Sequence, residues 1–156
     1  MPRKRKADPK KTKLSPLVRS AFEVLEHGLF HFLRSDNSTD MKFALMHIDQ
    51  AVELFLKEKV RDSGISIYKD KSKETITRWR AFEILENELK VKTPEKPDLE
   101  LLHEERNNIQ HKYSNPSADD AGFHVEKAMI FIRRFVKNEL NLDLREHVST
   151  RFLDQV

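Results

Sequence analysis

The sequence lacks cysteine altogether and holds only three glycines and six prolines among 156 residues. Without cysteine there is no disulfide, no thiolate metal site and no cysteine nucleophile. Few glycines and prolines, together with 35% charged residues, favour helices over strands and turns. No apolar run approaches the roughly 20 residues of a membrane span, and the basic start is not followed by the apolar segment of a signal peptide. We therefore expect a cytoplasmic all-α protein with no membrane partner.

Positive charge is unevenly distributed along the chain. Residues 1–14 carry seven basic side chains against Asp8, a local charge of +6, and subtracting it from the total of +3 leaves −3 for the rest. This segment has no apolar periodicity and contains two prolines. We therefore expect a disordered basic tail over residues 1–14 and a single helical domain over residues 15–156. Such a tail could be a phosphate-binding arm, a nuclear-localisation signal or a solvated terminus without a binding role.

Apolar residues recur at the spacing of an α-helix in five segments. The segments predict helices over Pro16–Arg34, Met41–Asp62, Glu74–Lys90, Asp98–Ser114 and Ser117–Leu140, with a short sixth helix over 143–153. The expected N-caps are Ser15, Thr39 or Asp40, and Asp98, and we expect Ser117, Asp119 and Asp120 to open the fifth helix. The wide apolar arc of the second helix suits a central position. The predicted fold is therefore an all-α antiparallel bundle of four to five helices with a short extra C-terminal helix, and Trp79 is expected in its core.

The richest chemistry lies near the end of the fourth segment, where Arg106, Asn107 and His111 fall within six residues. In a helix Asn107 and His111 share a face, because they are four residues apart. Arg106 could bind a scissile phosphate and the charge that develops on it. His111, in the last turn, could take a proton from a ribose 2′-OH or give one to the leaving oxygen. Asn107 would fix the imidazole or the phosphate by a hydrogen bond.

Further polar residues extend this cluster. Arg106 and Tyr113, seven residues apart, form a second polar stripe, beside which Gln110 and Lys112 are candidates for binding RNA phosphates. One histidine supplies an acid or a base but not both, so two copies of His111 meeting at a dimer axis would complete the reaction. The alternative interpretation is a polar helix end in which Arg106 pairs with a neighbouring glutamate and His111 caps carbonyl groups.

The string Arg106-Asn107-Asn108-Ile109-Gln110-His111 resembles the signature of the HEPN superfamily (higher eukaryotes and prokaryotes nucleotide-binding domain). That signature is an arginine, usually with a polar residue next, followed after four to six residues by a histidine. Tyr113 extends the match to a form similar to the HEPN toxins encoded beside minimal nucleotidyltransferases. The segment 51–57, AVELFLK, also resembles the apolar helix with an embedded Glu and Lys that precedes the motif in such domains. The resemblance covers about residues 15–140 and implies a helical bundle of HEPN type.

The resemblance also implies a function. It implies a homodimeric endoribonuclease that needs no metal and leaves a 2′,3′-cyclic phosphate, with Arg106 and His111 essential and Asn107 supporting. In the toxin branch a partner nucleotidyltransferase attaches AMP to the matching tyrosine, which makes Tyr113 a candidate site of regulatory modification. RNA, a second copy of the chain and an antitoxin or nucleotidyltransferase are the expected partners of a toxin or defence protein. Because some members only bind nucleotides, RNA or proteins, a non-catalytic helical module is the alternative.

Two further residues could support the motif, and one pair could bind a metal. Glu53 on the second helix could orient the motif's side chains or reach solvent. His103 lies eight residues before His111, near enough to line the same cleft. His27 and His31 are four residues apart on the first helix, but the sequence offers no HExxH glutamate and no evident third ligand. We therefore predict no metal and no other cofactor. A Gly-rich phosphate loop and a serine nucleophile elbow are also missing, so an NTPase or a serine hydrolase is unsupported.

Overall fold

The computed structural model of the protein describes residues 13–34 and 37–156, where all regular structure is helical apart from one antiparallel bridge between Tyr68 and Thr75. The helices are α1 (Pro16–Arg34), α2 (Ser38–Asp62), α3 (Arg78–Asn87), α4 (Lys96–Lys112), α5 (Ala118–Asn138) and α6 (Thr150–Leu153), with a 3-10 turn over Leu144–Glu146. The predicted all-α bundle is confirmed. The tail predicted over residues 1–14 lies almost wholly outside the described residues, although Leu14 packs against the core.

The second helix is the centre of the bundle, because α1, α3, α4 and α5 all pack against it. Its fully buried side chains include Leu45, Ile48, Val52, Phe55 and Leu56. Phe55 meets Phe22 of α1 edge-on, with ring centroids 5.4 Å apart, in one of the geometries that aromatic pairs prefer. The wide apolar arc of this helix predicted a central position, and the helix does have neighbours on several sides.

Hydroxyl caps fix the starts of α1 and α5. Ser15 Oγ accepts a hydrogen bond from the Val18 amide at 3.1 Å, and Ser117 Oγ accepts one from the Asp120 amide at 3.0 Å. Each bond satisfies an amide that has no partner within its own helix. The expected N-cap of α1 is confirmed, and α5 opens at Ser117, Asp119 and Asp120 as expected.

The starts of α2 and α4 differ from the sequence predictions. Neither Thr39 nor Asp40 caps α2, since Asn37 Oδ1 accepts the hydrogen bond from the Asp40 amide at 3.0 Å. Asp98, expected to cap α4, lies instead in the first turn of that helix, because the helix already begins at Lys96. Pro97 lies in the first turn, where its missing amide proton costs nothing, so it is compatible with this earlier start.

The third helix is shorter than the predicted Glu74–Lys90. Thr77 caps it by accepting from the Arg80 amide at 3.1 Å, and the residues before Thr77 are not helical. The prediction that Trp79 belongs to the core is wrong, because its side chain is 66% exposed. The face of α3 that packs inward is instead made by Ala81, Phe82, Ile84 and Leu85.

The C-terminal helix predicted over 143–153 is interrupted. Asp143 caps the 3-10 turn, the chain then leaves helical geometry, and α6 forms only one turn that packs on α1. Leu144, Val148 and Leu153 are buried and anchor this segment. In the described part of the chain, no helix combines the length and the apolar character that crossing a bilayer requires.

Charged side chains buried on α2 have polar partners. Lys57 Nζ donates to Thr75 Oγ1 at 2.8 Å, and Glu58 accepts from Ser15 Oγ at 2.7 Å and from two guanidinium nitrogens of Arg61. Such bonds offset the cost of removing a charge from water. They also join α2 to the connector after it and to the start of α1.

Candidate functional site

The predicted motif lies in the second half of α4, where Arg106 and Asn107 are both half-buried. Arg106 Nη1 donates to Asn107 Oδ1 at 3.1 Å. The neighbouring carboxylate of Glu105 accepts from Ser114 Oγ at 2.8 Å. The Arg106 guanidinium therefore bonds to a neutral amide, which does not cancel its positive charge.

The last turn of α4 projects its polar side chains into solvent. Gln110, His111 and Lys112 are all exposed. The backbone carbonyl of Asn108 in this turn is taken by the amides of the two residues that follow the helix. Capping of that carbonyl is thus done by the backbone and does not need the imidazole of His111. Exposed amide, imidazole and ammonium groups therefore surround the last turn of α4.

Tyr113 leaves the helix instead of continuing its stripe. It is the C-cap of α4 and adopts the left-handed conformation, with φ 57° and ψ 31°. The expectation that Tyr113 shares a helical stripe with Arg106 is therefore wrong, because that stripe assumed a helix running to Ser114. The phenol is 89% exposed. A residue at this place is open to a modifying enzyme, as the predicted regulatory role requires.

Behind the motif lies a buried ionic network that joins three helices. Asp49 of α2 accepts from Arg78 Nη1 of α3 at 2.8 Å through Oδ1, and from His103 Nδ1 of α4 at 2.9 Å through Oδ2. Arg78 Nη2 also donates to the carbonyl of Leu99 at 3.0 Å. Asp49 and Arg78 are only 4% and 7% exposed. The predicted residue His103 is thus bonded to Asp49, which in turn is paired with Arg78, and the sequence analysis identified neither of these two residues.

A groove of about 580 Å³ opens above this network between α2, α3 and α4. Three of the predicted residues, Glu53, His103 and Asn107, line it. The other residues along it are Thr77, Arg78, Trp79, Phe82, Glu100 and Glu104. Arg106, Gln110, His111, Lys112 and Tyr113 do not line the groove. The structure therefore divides the predicted site into a groove and an exposed helix end, which meet at Asn107.

The groove has an acidic rim. Glu53, Glu100 and Glu104 contribute three carboxylates, whereas the positive charge of Arg78 is balanced by the salt bridge to Asp49. Glu53 has its ion-pair partner one turn along α2, with Glu53 Oε2 and Lys57 Nζ 3.5 Å apart. Glu100 and Glu104 add negative charge to this rim, which would repel a phosphate group.

Histidines form a second polar cluster, away from α4. The sequence offered His27 and His31 without a third ligand, and the structure provides one, because His47 of α2 lies beside them. The sequence signal was present but weak, since a single histidine on a different helix has no fixed spacing from the other two.

Comparisons of the chain with protein-family models, with curated proteins and with solved structures give no match.

Proposed function

We propose that this protein is a metal-independent endoribonuclease of HEPN type, with a composite active site formed where two copies of α4 meet. The observation that supports the proposal is the pairing of a half-buried arginine with Asn107, one turn before the exposed His111. The arginine is held by an amide and keeps its charge for a phosphate. The histidine is exposed, as a group that must reach a substrate has to be.

The reaction needs one base and one acid. His111 of one copy would take the proton from a ribose 2′-OH, whose oxygen attacks the adjacent phosphorus. The bond from phosphorus to the 5′ oxygen breaks, and His111 of the second copy gives that oxygen a proton, leaving a 2′,3′-cyclic phosphate. Arg106 would bind the phosphate oxygens on which negative charge develops. Asn107 would hold the arginine through the bond that is already present.

The acidic groove supports a second candidate, a non-catalytic binding module. Its carboxylates and the exposed indole of Trp79 suit a partner that carries positive charge and an apolar side chain, such as a basic segment of another protein. In this case Asn107 and His103 would contact the partner, and the histidine at the helix end would have no chemical role.

Cleavage of labelled RNA in the presence of EDTA tests the first candidate. We expect the wild-type chain to produce fragments ending in a cyclic phosphate. Arg106→Ala and His111→Ala should each lower the rate about a hundredfold or more, since each removes a group that acts in the transition state. Lys137→Ala, which removes an exposed cation from α5, is the matched control and should cleave at the wild-type rate.

Two outcomes would reject the nuclease. Full activity in either the Arg106 or the His111 variant would show that these residues do not carry the reaction. Saturable binding of RNA or of a protein, with no cleavage product at any concentration of the chain, would favour the binding module.

A further inference from the structure

Three histidine rings converge where α1 crosses α2. One ring nitrogen from each of His27, His31 and His47 lies within 4.8 Å of the other two. Between His27 Nε2 and His31 Nε2 the distance is 3.2 Å, and the ring centroids of His27 and His47 are 4.6 Å apart. His27 is exposed and the other two are half-buried, so the cluster is open to solvent on one side.

A glycine allows this convergence. A Cβ atom at Gly28 would lie 2.9 Å from Ile48 Cγ1, 3.2 Å from His47 Cβ and 3.3 Å from the Ala44 carbonyl oxygen. Side chains do not pack that closely, so only glycine permits α1 and α2 to approach to this distance. The approach places His47 opposite the two histidines of α1. The geometry of the cluster is therefore set by the packing of the bundle and not by a mobile loop.

A carboxylate orients the middle histidine. His31 Nδ1 and Asp40 Oδ1 are 3.0 Å apart. A carboxylate can only accept, so His31 donates through Nδ1 and turns Nε2 toward the other two rings. This is the arrangement by which proteins commonly fix a metal-binding histidine, with the second ring nitrogen bonded to an acid.

The spacing of the rings and the surroundings of His47 also suit a cation. Burial, and then the neighbouring His27 and His31, lower the pKa of His47, which favours the neutral form that has a lone pair to donate. In a tetrahedral zinc site with Zn–N bonds of about 2.0–2.1 Å, two ligand nitrogens are about 3.3 Å apart. The separation of 3.2 Å between the two α1 nitrogens is close to this value. The third nitrogen, from His47, lies within 4.8 Å of the other two.

We propose that His27, His31 and His47 bind one Zn²⁺ ion, with Asp40 as the partner that holds His31 in its binding orientation. Three neutral imidazoles form a ligand set that zinc accepts. Water or an anion from solvent would supply the fourth ligand, since His27 is exposed. The ion joins α1 to α2, the pair of helices with the most extensive contact in the bundle, and so stabilises the folded chain.

Titration of the untagged full-length chain with Zn²⁺, followed by calorimetry, tests the site. We expect one ion per chain, and a Co²⁺ form with the visible absorption of a tetrahedral ion. His27→Gln, His31→Gln and His47→Gln should each weaken zinc binding at least tenfold, and Asp40→Asn should weaken it about 10–100-fold. Zinc should raise the melting temperature of the wild type and have little effect on that of His27→Gln.

His111→Gln is the matched control, because it removes an exposed histidine from α4 and should bind zinc as the wild type does. His27 is exposed, so its substitution leaves the core intact. The His27 variant therefore tests zinc binding even if the His47 variant fails to fold. No zinc binding, or equal affinity in His27→Gln and wild type, would overturn the proposal. Neither result bears on RNA cleavage, which is measured with the α4 variants and in the presence of EDTA.

Discussion

At the scale of single residues, Asp49 is a carboxylate that is only 4% exposed, although it lies on the apolar surface of the central helix. Its carboxylate forms a salt bridge with buried Arg78 and a hydrogen bond with His103, so one side chain contacts both a buried cation and a groove residue. In the sequence, Asp49 is one polar residue beside Ile48 in an apolar stripe. The same pattern is typical of a residue at the solvent-exposed border of such a stripe. Its partners are 29 and 54 residues away in the chain, and no local pattern could identify them.

Replacing Asp49 by Ala should cost about 3–5 kcal/mol in the free energy of unfolding, because it leaves the Arg78 guanidinium buried without its counter-charge. Urea unfolding monitored by circular dichroism measures this cost. Asp70→Ala removes an exposed carboxylate from the connector and should change stability by less than about 0.5 kcal/mol. The double variant Asp49→Leu with Arg78→Met should recover much of the loss, since no uncompensated charge remains. A small effect of Asp49→Ala alone would mean that water reaches the buried guanidinium.

Among the elements, the crossing of α1 and α2 depends on one small residue. Gly28 and Gly122 both lie within helices, and nothing stands within 4 Å of a Cβ added at Gly122. The two glycines therefore separate the effect of helix propensity from the effect of close packing, because alanine improves propensity equally at both.

Gly122→Ala should stabilise the protein by up to about 1 kcal/mol, through the better helix propensity of alanine. Gly28→Ala should instead destabilise it by about 1–3 kcal/mol, because its methyl group forces α1 away from Ile48 and His47. Thermal and urea unfolding of the two variants measure the contrast. Equal effects at the two positions would show that the helices separate without cost. Zinc affinity of the Gly28 variant should fall with its stability, since the spacing of the histidines changes.

Element boundaries illustrate what local sequence can and cannot predict. Ser15 and Ser117 were identified correctly, because a hydroxyl before an acidic or apolar helix start needs no tertiary contact to act. Trp79 was misplaced, because its spacing agrees with both faces of a short helix and only the packing of α3 on α2 decides between them.

At the candidate site, the sequence alone shows that the polar residues from Arg106 to Lys112 lie close together. The division between groove and helix end could not be predicted in this way, because it depends on where α2 and α3 lie.

At the scale of the whole molecule, the proposed nuclease is an assembly of two chains, and its activity should show this. In mixtures of wild type with His111→Ala, allowed to exchange subunits, the cleavage rate should fall as the square of the wild-type fraction, because a site with one histidine lacks either its acid or its base. Mixing with Lys137→Ala is the control and should leave the rate unchanged. A linear decrease with His111→Ala would mean that each chain cleaves RNA alone, and the composite site would be rejected.

The position of Trp79 gives the protein an internal optical probe. It is the only tryptophan of the chain and lines the groove with an indole that is 66% exposed. Its fluorescence therefore comes from a single known place, without a label and without contributions from the core. A partner entering the groove would shield the indole from water and shift its emission to shorter wavelength. An RNA held at the end of α4, or an ion between α1 and α2, would leave it largely unchanged, so the spectrum tells whether the groove itself is occupied.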